Sequence, residues 1–205
     1  METRSITDTG ERIIVDMDTC ILPKYKFQNF QFNIITDVWL CGPACKDSQG
    51  NKFDGAYPAG FLDRMKSGFY HYYPVDKREI LFVCSGRVPS SEGMRLDIDP
   101  KYNPDFPCNA ENMDLIRGNT FSWTTSDTPY NKDASDKYYG KPLLNKSKCL
   151  KEMSRVTKVN GFVSVLDESF PVSPPRNLKC VARIAVSSVP NLTFRAFTVF
   201  KKVSE

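Results

Sequence analysis

The stretch Asp127-Thr128-Pro129-Tyr130 puts a carboxylate, a rigid turn and an aromatic ring within four residues. A side-chain carboxylate and a backbone carbonyl at one turn can together accept two N–H hydrogen bonds, and a neighbouring aromatic ring can stack on a flat ligand. A plain type I turn is the competing reading, with Pro awkwardly placed for that turn. Three further polar clusters stand out: Cys84-Ser85-Gly86, the acids Asp97 and Asp99, and Asn109-Ala110-Glu111. Asp99 alone could simply cap the turn that begins at Pro100. One histidine, His71, leaves almost no material for a catalytic triad or a His-rich metal cage.

Three of the clusters lie at the end of an apolar run that reads as a strand, and Asn109-Ala110-Glu111 follows a short extended stretch. Ile80 to Cys84 is continuous, Met94 to Ile98 alternates, and Thr120 to Thr125 is β-branched and aromatic. Phe162 to Leu166, Cys180 to Val186 and Phe194 to Val199 follow. The last two are joined at hairpin length, which predicts an antiparallel pair. Phe30, Phe32 and Ile34, then Val38 to Leu40, predict an extended segment near the start. Phe61, Leu62, Met65 and Phe69 predict a helix from Pro58 to Tyr73, stopped by Pro74. Leu143, Leu150, Met153 and Val156 predict a second helix, with Pro142 in its first turn and Asn160-Gly161 closing it. Strand, helix and strand with buried runs imply a mostly parallel α/β sheet. In such sheets ligands bind outside the carboxyl ends of the strands, where all four clusters fall.

Together these segments resemble a class I S-adenosylmethionine-dependent methyltransferase over roughly residues 58 to 200. Glu152 to Leu166 is similar to the family's late helix, tight turn and following strand. Ile80 to Gly86 is similar to its first strand and glycine loop. The resemblance implies a Rossmann-like sheet, S-adenosylmethionine as cofactor, and an acid at the end of the second strand that accepts from the ribose hydroxyls. Asp97 or Asp99 matches that acid, and Asn109-Ala110-Glu111 matches the segment against the adenine. Cys84, Ser85 and Gly86 match the glycine loop. Asp127 to Tyr130 is similar to the D-P-P-Y motif of amino-methyltransferases acting on nucleic-acid bases. Asp127 would then accept from the amine, the backbone at Thr128 and Pro129 would assist, and Tyr130 would stack on the base.

Thr128 stands where that motif has its first Pro. Only nine residues, 85 to 93, separate the first two strands, fewer than the ten to twelve or so that a parallel crossover normally takes. Its helix must be missing or replaced by a loop. A methyltransferase-fold binding subunit without catalysis and a small-molecule methyltransferase are the alternative functions.

The chain has 205 residues, enough for one substantial domain. We divide it into an N-terminal extension, 1–57, within the same globule, and a methyltransferase domain, 58–205. The net charge of +4 permits a nucleic-acid partner without demanding one. Sequence selection would fall to the first 57 residues or to a second subunit. Lys24, Lys26, Lys46, Lys52, Lys132, Lys137 and Lys141 are loop cations that could meet phosphates or simply be solvated. No apolar run approaches the roughly 18 residues of a membrane span. Met1 to Asp16 carries four acids and no apolar stretch, so no secretory signal is expected. The seven cysteines read as reduced thiols in a cytoplasmic protein. Cys41 and Cys45 read as two thiols near a turn; a zinc site would have to recruit distant cysteines.

Overall fold

Apolar runs flanked by turn residues become the central strands, and two amphipathic segments become the helices that cover them. The computed structural model describes residues 3–6, 12–15, 34–42, 57–129, 143–171, 173–188 and 194–205. In chain order the elements are β1 (Thr3–Ile6), β2 (Arg12–Val15), β3 (Ile35–Cys41), α1 (Phe61–Gly68), β4 (Ile80–Val83), β5 (Met94–Asp97), β6 (Phe106–Pro107), β7 (Phe121–Asp127), α2 (Lys146–Val156), β8 (Thr157–Asp167), β9 (Leu178–Ser188) and β10 (Phe194–Lys202). β1 and β2 pair antiparallel as a separate ribbon.

The other strands form one sheet in the order β3-β9-β10-β8-β7-β4-β5-β6. β6, β5, β4, β7 and β8 are mutually parallel. β10 is antiparallel to both β8 and β9. From β4 the chain winds outward through β5 and β6, then returns to the other side of β4 with β7 and β8. This is the Rossmann order of five parallel strands, with an antiparallel strand inserted before the sixth. The Rossmann-like, mostly parallel sheet expected from the sequence is present, as is the antiparallel C-terminal pair. β3, from the N-terminal extension, adds a parallel edge strand beside β9.

The sheet is covered on both faces. On one, α1 buries Phe61 and Met65, four residues apart, against Trp39, Phe82, Trp123 and Phe197. On the other, α2 buries Cys149, Leu150, Met153 and Val156 against Leu81, Val83, Leu96 and Phe200. Residues 84–93 join β4 to β5 without a helix, as the nine-residue spacing requires. Turns and a single 3-10 turn, Pro100–Tyr102, make the next two connections.

Both helices are shorter than their apolar spacing predicts. α1 ends at Gly68, where an added Cβ would lie 3.3 Å from the Trp39 ring. Phe69 and Tyr73 are still buried, but through hydrogen-bonded turns rather than further helix. α2 begins at Lys146 because Asn145 caps it, its side chain accepting from the Lys148 N–H at 3.0 Å. Pro142 lies outside the described residues. α2 also ends early, at Val156, and runs straight into β8. Asn160-Gly161 closes no helix. The pairing jumps from Phe121↔Thr157 to Trp123↔Phe162, so residues 158–161 bulge from the ladder. Asn160 takes a left-handed φ of 67°. A Cβ on Gly161 would lie 2.8 Å from the Ser122 carbonyl oxygen and 2.9 Å from that of Lys158. The same bulge sends Phe121 to the α2 face while Trp123 faces α1.

Candidate active site

The winding direction reverses at β4, so the crevice lies outside the carboxyl ends of β4 and β7. There the chain makes a tight reversal. Cys84 and Gly86, on either side of Ser85, both have positive φ, 54° and 49°. For Cys84 this left-handed backbone costs about 1–2 kcal/mol, since its Cβ crowds the carbonyl. The Ser85 N–H donates to the Leu96 carbonyl at 3.0 Å, which ties the reversal to β5.

Asp97 completes this corner. It is 3% exposed. One carboxylate oxygen accepts from the Gly86 N–H at 2.8 Å and the other from the Asp99 N–H at 2.9 Å. Burial pushes its carboxyl above the ordinary value, while the N–H groups of Asp99 and Gly86 pull the other way. Each oxygen keeps lone-pair capacity for a further donor. Asp99 has a different job. Its side chain accepts from the Lys101 N–H and pairs with the Lys101 ammonium, capping the 3-10 turn. The Asn109 side chain accepts from the Glu111 N–H, closing its own turn. Glu111 accepts from the Asn145 N–H, which anchors the segment to the start of α2. Ala110 is buried beneath. Arg155 and Glu152 fasten the following loop: Arg155 donates to the Met113 and Ile116 carbonyls, and Glu152 accepts from the Met113 N–H.

Asp127 ends β7 and forms an ion pair with Arg195 of β10, with side-chain exposures of 9% and 14%. Thr128 is buried and Pro129 half-buried. Tyr130, the loop lysines and Cys45 lie outside the described residues. Tyr57 stacks on Phe61 with ring centroids 5.2 Å apart. Its phenol faces Thr125 without a hydrogen bond of good geometry. Burial pushes that phenol well up, and the Asp127 charge adds to the effect. Tyr57 also lines a cleft of about 470 Å³ with Gly60, Arg87 and Glu92, between the start of α1 and the loop after β4. The hydroxyls of Ser85, Ser126 and Thr128 are buried and find no hydrogen-bond partner among the described residues. Buried orphan hydroxyls cost about 1–3 kcal/mol each, so such a cluster at strand ends is shaped for a polar ligand.

The structure therefore joins Ser85, Gly86 and Asp97 into one corner and sets Asp127 and Thr128 beside it. It turns the polar side chains of Asn109 and Glu111 to the protein's own backbone. Tyr57 and Arg195 escape the sequence reading. Tyr57 precedes the helix-opening Pro58-Ala59-Gly60, which is a usable signal. Arg195 meets a partner 68 positions away, and only the strand order reveals it.

No protein-family model matches the chain, and no curated protein sequence matches it. Solved structures that resemble it are weak likenesses. A S-adenosylmethionine-dependent methyltransferase from Aquifex aeolicus is 10% identical, covering 67% of this chain and 89% of its own, with a TM-score of 0.42. A rRNA methylase from Streptococcus thermophilus is 9% identical, covering 70% and 97%, with a TM-score of 0.45. A geranyl diphosphate C-methyltransferase from Streptomyces coelicolor, bound to S-adenosyl-L-homocysteine, is 10% identical, covering 80% and 89%, with a TM-score of 0.41. The fold assignment rests on this chain's own strand order. Among the described residues no helix is long and apolar enough to cross a membrane, and no cluster of three or more His, Cys, Asp or Glu could hold a metal ion.

Proposed function

We propose that the chain transfers a methyl group from S-adenosylmethionine to an amino group, most plausibly the exocyclic amine of a nucleic-acid base. The observation that carries this is the Gly86–Asp97 corner. A buried carboxylate is held by two backbone N–H groups at the carboxyl ends of the first two parallel strands. The residues fit the cofactor chemically. Asp97 has acceptor capacity for ribose hydroxyls, the Gly86 backbone allows close approach, and Ser85 and Thr128 are orphan hydroxyls in need of polar partners.

S-adenosylmethionine supplies an electrophilic methyl carbon on a sulfonium. An amine held against that methyl group would take it up and give one proton to solvent. This chain's part is alignment. Asp127 accepts from the amine, the turn at Thr128 and Pro129 aims a carbonyl at it, and Tyr130 stacks on the base. No histidine is needed, because the advantage comes from orientation. Cys84 does not compete as a nucleophile: burial pushes its thiol well up and keeps it neutral.

The second reading is a methyltransferase-fold binding subunit without catalysis. The helix-free β4–β5 crossover favours it, since a helix N-terminus there would add backbone donors. In either reading the first 57 residues or a partner subunit would supply sequence selection, and the protein works in the cytoplasm. The test is transfer of a tritiated methyl group from S-adenosylmethionine to polynucleotides and small amines. Counts in nucleic acid that vanish in Asp127→Ala support the proposal. Transfer that is unchanged in that variant refutes the assigned role.

A further inference from the structure

We infer that the start of α1 binds the carboxylate at the amino-acid end of S-adenosylmethionine, doing the work of the helix that the β4–β5 connection lacks. This rests on the methyl-transfer reading above and names the residues that hold the far end of the cofactor.

The first turn of α1 has donors to spare. Gly60 sits at its N-cap with a left-handed φ of 79° and brings no side-chain cap. The Phe61 N–H donates to the Pro58 carbonyl at 3.0 Å, and the Arg64 N–H to the Gly60 carbonyl at 3.1 Å. The N–H groups of Leu62 and Asp63 lie between them and find no acceptor among the described residues. Spare N–H groups at a helix start, aligned with its dipole, suit an anion. Leu62 and Asp63 both line the cleft of about 470 Å³. A Cβ added to Gly60 would meet nothing within 4 Å, so the space beside these donors is open.

Tyr57 points independently to a ligand. It lines the same cleft, is 6% exposed, and its hydroxyl has no hydrogen-bond partner among the described residues. Its ring is fixed by the stack on Phe61 and an edge contact with Phe82. Burial keeps the phenol protonated, so it offers a donor. Both acids of the cleft turn to Lys66: Glu92 at 2.7 Å, and Asp63, with its side chain 85% exposed, at 3.5 Å. Arg87 adds a guanidinium to the wall. Backbone N–H groups, a phenol and a guanidinium all donate, and the ligand that answers them is an anion. Arg87 directly follows Gly86 of the Asp97 corner, so the cleft begins one residue beyond the place given to the ribose. In S-adenosylmethionine the sulfonium joins the ribose to a short chain that ends in a carboxylate.

The experiment is calorimetric binding of three ligands at fixed salt and pH. They are S-adenosylhomocysteine, its decarboxylated analogue, which keeps the amine, and 5′-methylthioadenosine, which lacks the whole amino-acid end. Wild-type protein should bind the first about tenfold or more tightly than the other two. Tyr57→Phe keeps the ring and its stacking. Gly60→Asn tolerates the left-handed φ and fills the open space. Each should narrow the ratio between S-adenosylhomocysteine and its decarboxylated analogue. The wild-type series stands alone if either variant fails to fold. Equal affinity for those two ligands overturns this inference and leaves the cofactor reading intact. A ratio that neither folded variant narrows overturns it too, because the carboxylate would then be held elsewhere. Inorganic phosphate that binds protein already saturated with S-adenosylhomocysteine, but not saturated Gly60→Asn, would give the anion site to another ligand, with the same consequence. Failure of folded protein to bind S-adenosylhomocysteine overturns the methyl-transfer reading and this inference together.

Discussion

Replacing Arg195 by Met keeps much of the aliphatic bulk and removes the charge. Asp127 would then be a carboxylate with 9% of its side chain exposed that has lost this guanidinium. Breaking a buried pair by removing one partner costs about 3–5 kcal/mol, whereas a solvated surface pair is worth about 0.2–1 kcal/mol. The residual exposure of 9% and 14% places this pair near the lower end of the buried range, so we expect a loss of about 3 kcal/mol. Against a urea slope of about 1–3 kcal/mol per molar, the unfolding midpoint falls by roughly 1–3 M. Asp127→Leu alone should also destabilise, by taking this carboxylate from the largely buried arginine. The double variant should recover most of the loss, because neither charge is then left alone. Urea unfolding of all four proteins closes the cycle, and a coupling energy of about 2 kcal/mol or more is expected. A coupling below about 1 kcal/mol would mean a solvated pair and would contradict its buried character.

Other consequences can be checked on the same samples. Met153, wholly buried on the inner face of α2, should cost about 2–5 kcal/mol when changed to Ala, measured by urea unfolding. Gly161→Ala should cost about 1–3 kcal/mol or more, because the new methyl meets two backbone oxygens that cannot rotate away; a thermal scan with no shift would contradict the bulge. The Arg155 hydrogen bond holds Glu152 below its ordinary value of 4.5. A depressed folded pKa adds stability above the unfolded value and loses it as pH falls through the folded one, so urea midpoints should drop below about pH 4.5. Glu152→Gln should flatten that slope, and an unchanged slope would show the contact carries none of it.

The strands that flank the crevice were legible because parallel strands buried on both faces are nearly continuous apolar runs, as in Ile80–Val83 and Phe162–Leu166. The inner face of α2 was legible from its spacing, but its ends were not. Asn145 captures the first turn by a local side-chain bond. Gly161 answers to a carbonyl of a neighbouring strand, which is a tertiary contact. α1 misled in the other direction, since Phe69 and Tyr73 keep helical spacing although the helix stops where Gly68 meets Trp39. In the crevice, Asp97 announced itself by its place at a strand end. The occupations of Asp99 and Glu111 were set by neighbouring N–H groups, and Arg195 by the insertion of β10 beside β8.

The most direct test is calorimetric titration with S-adenosylhomocysteine, comparing wild-type protein with Asp97→Ala. Circular dichroism would confirm that both are folded. Micromolar binding by the wild type, about −8 kcal/mol, that is lost in the variant is the predicted result. No binding by folded wild-type protein, or equal affinity in Asp97→Ala, would contradict the account.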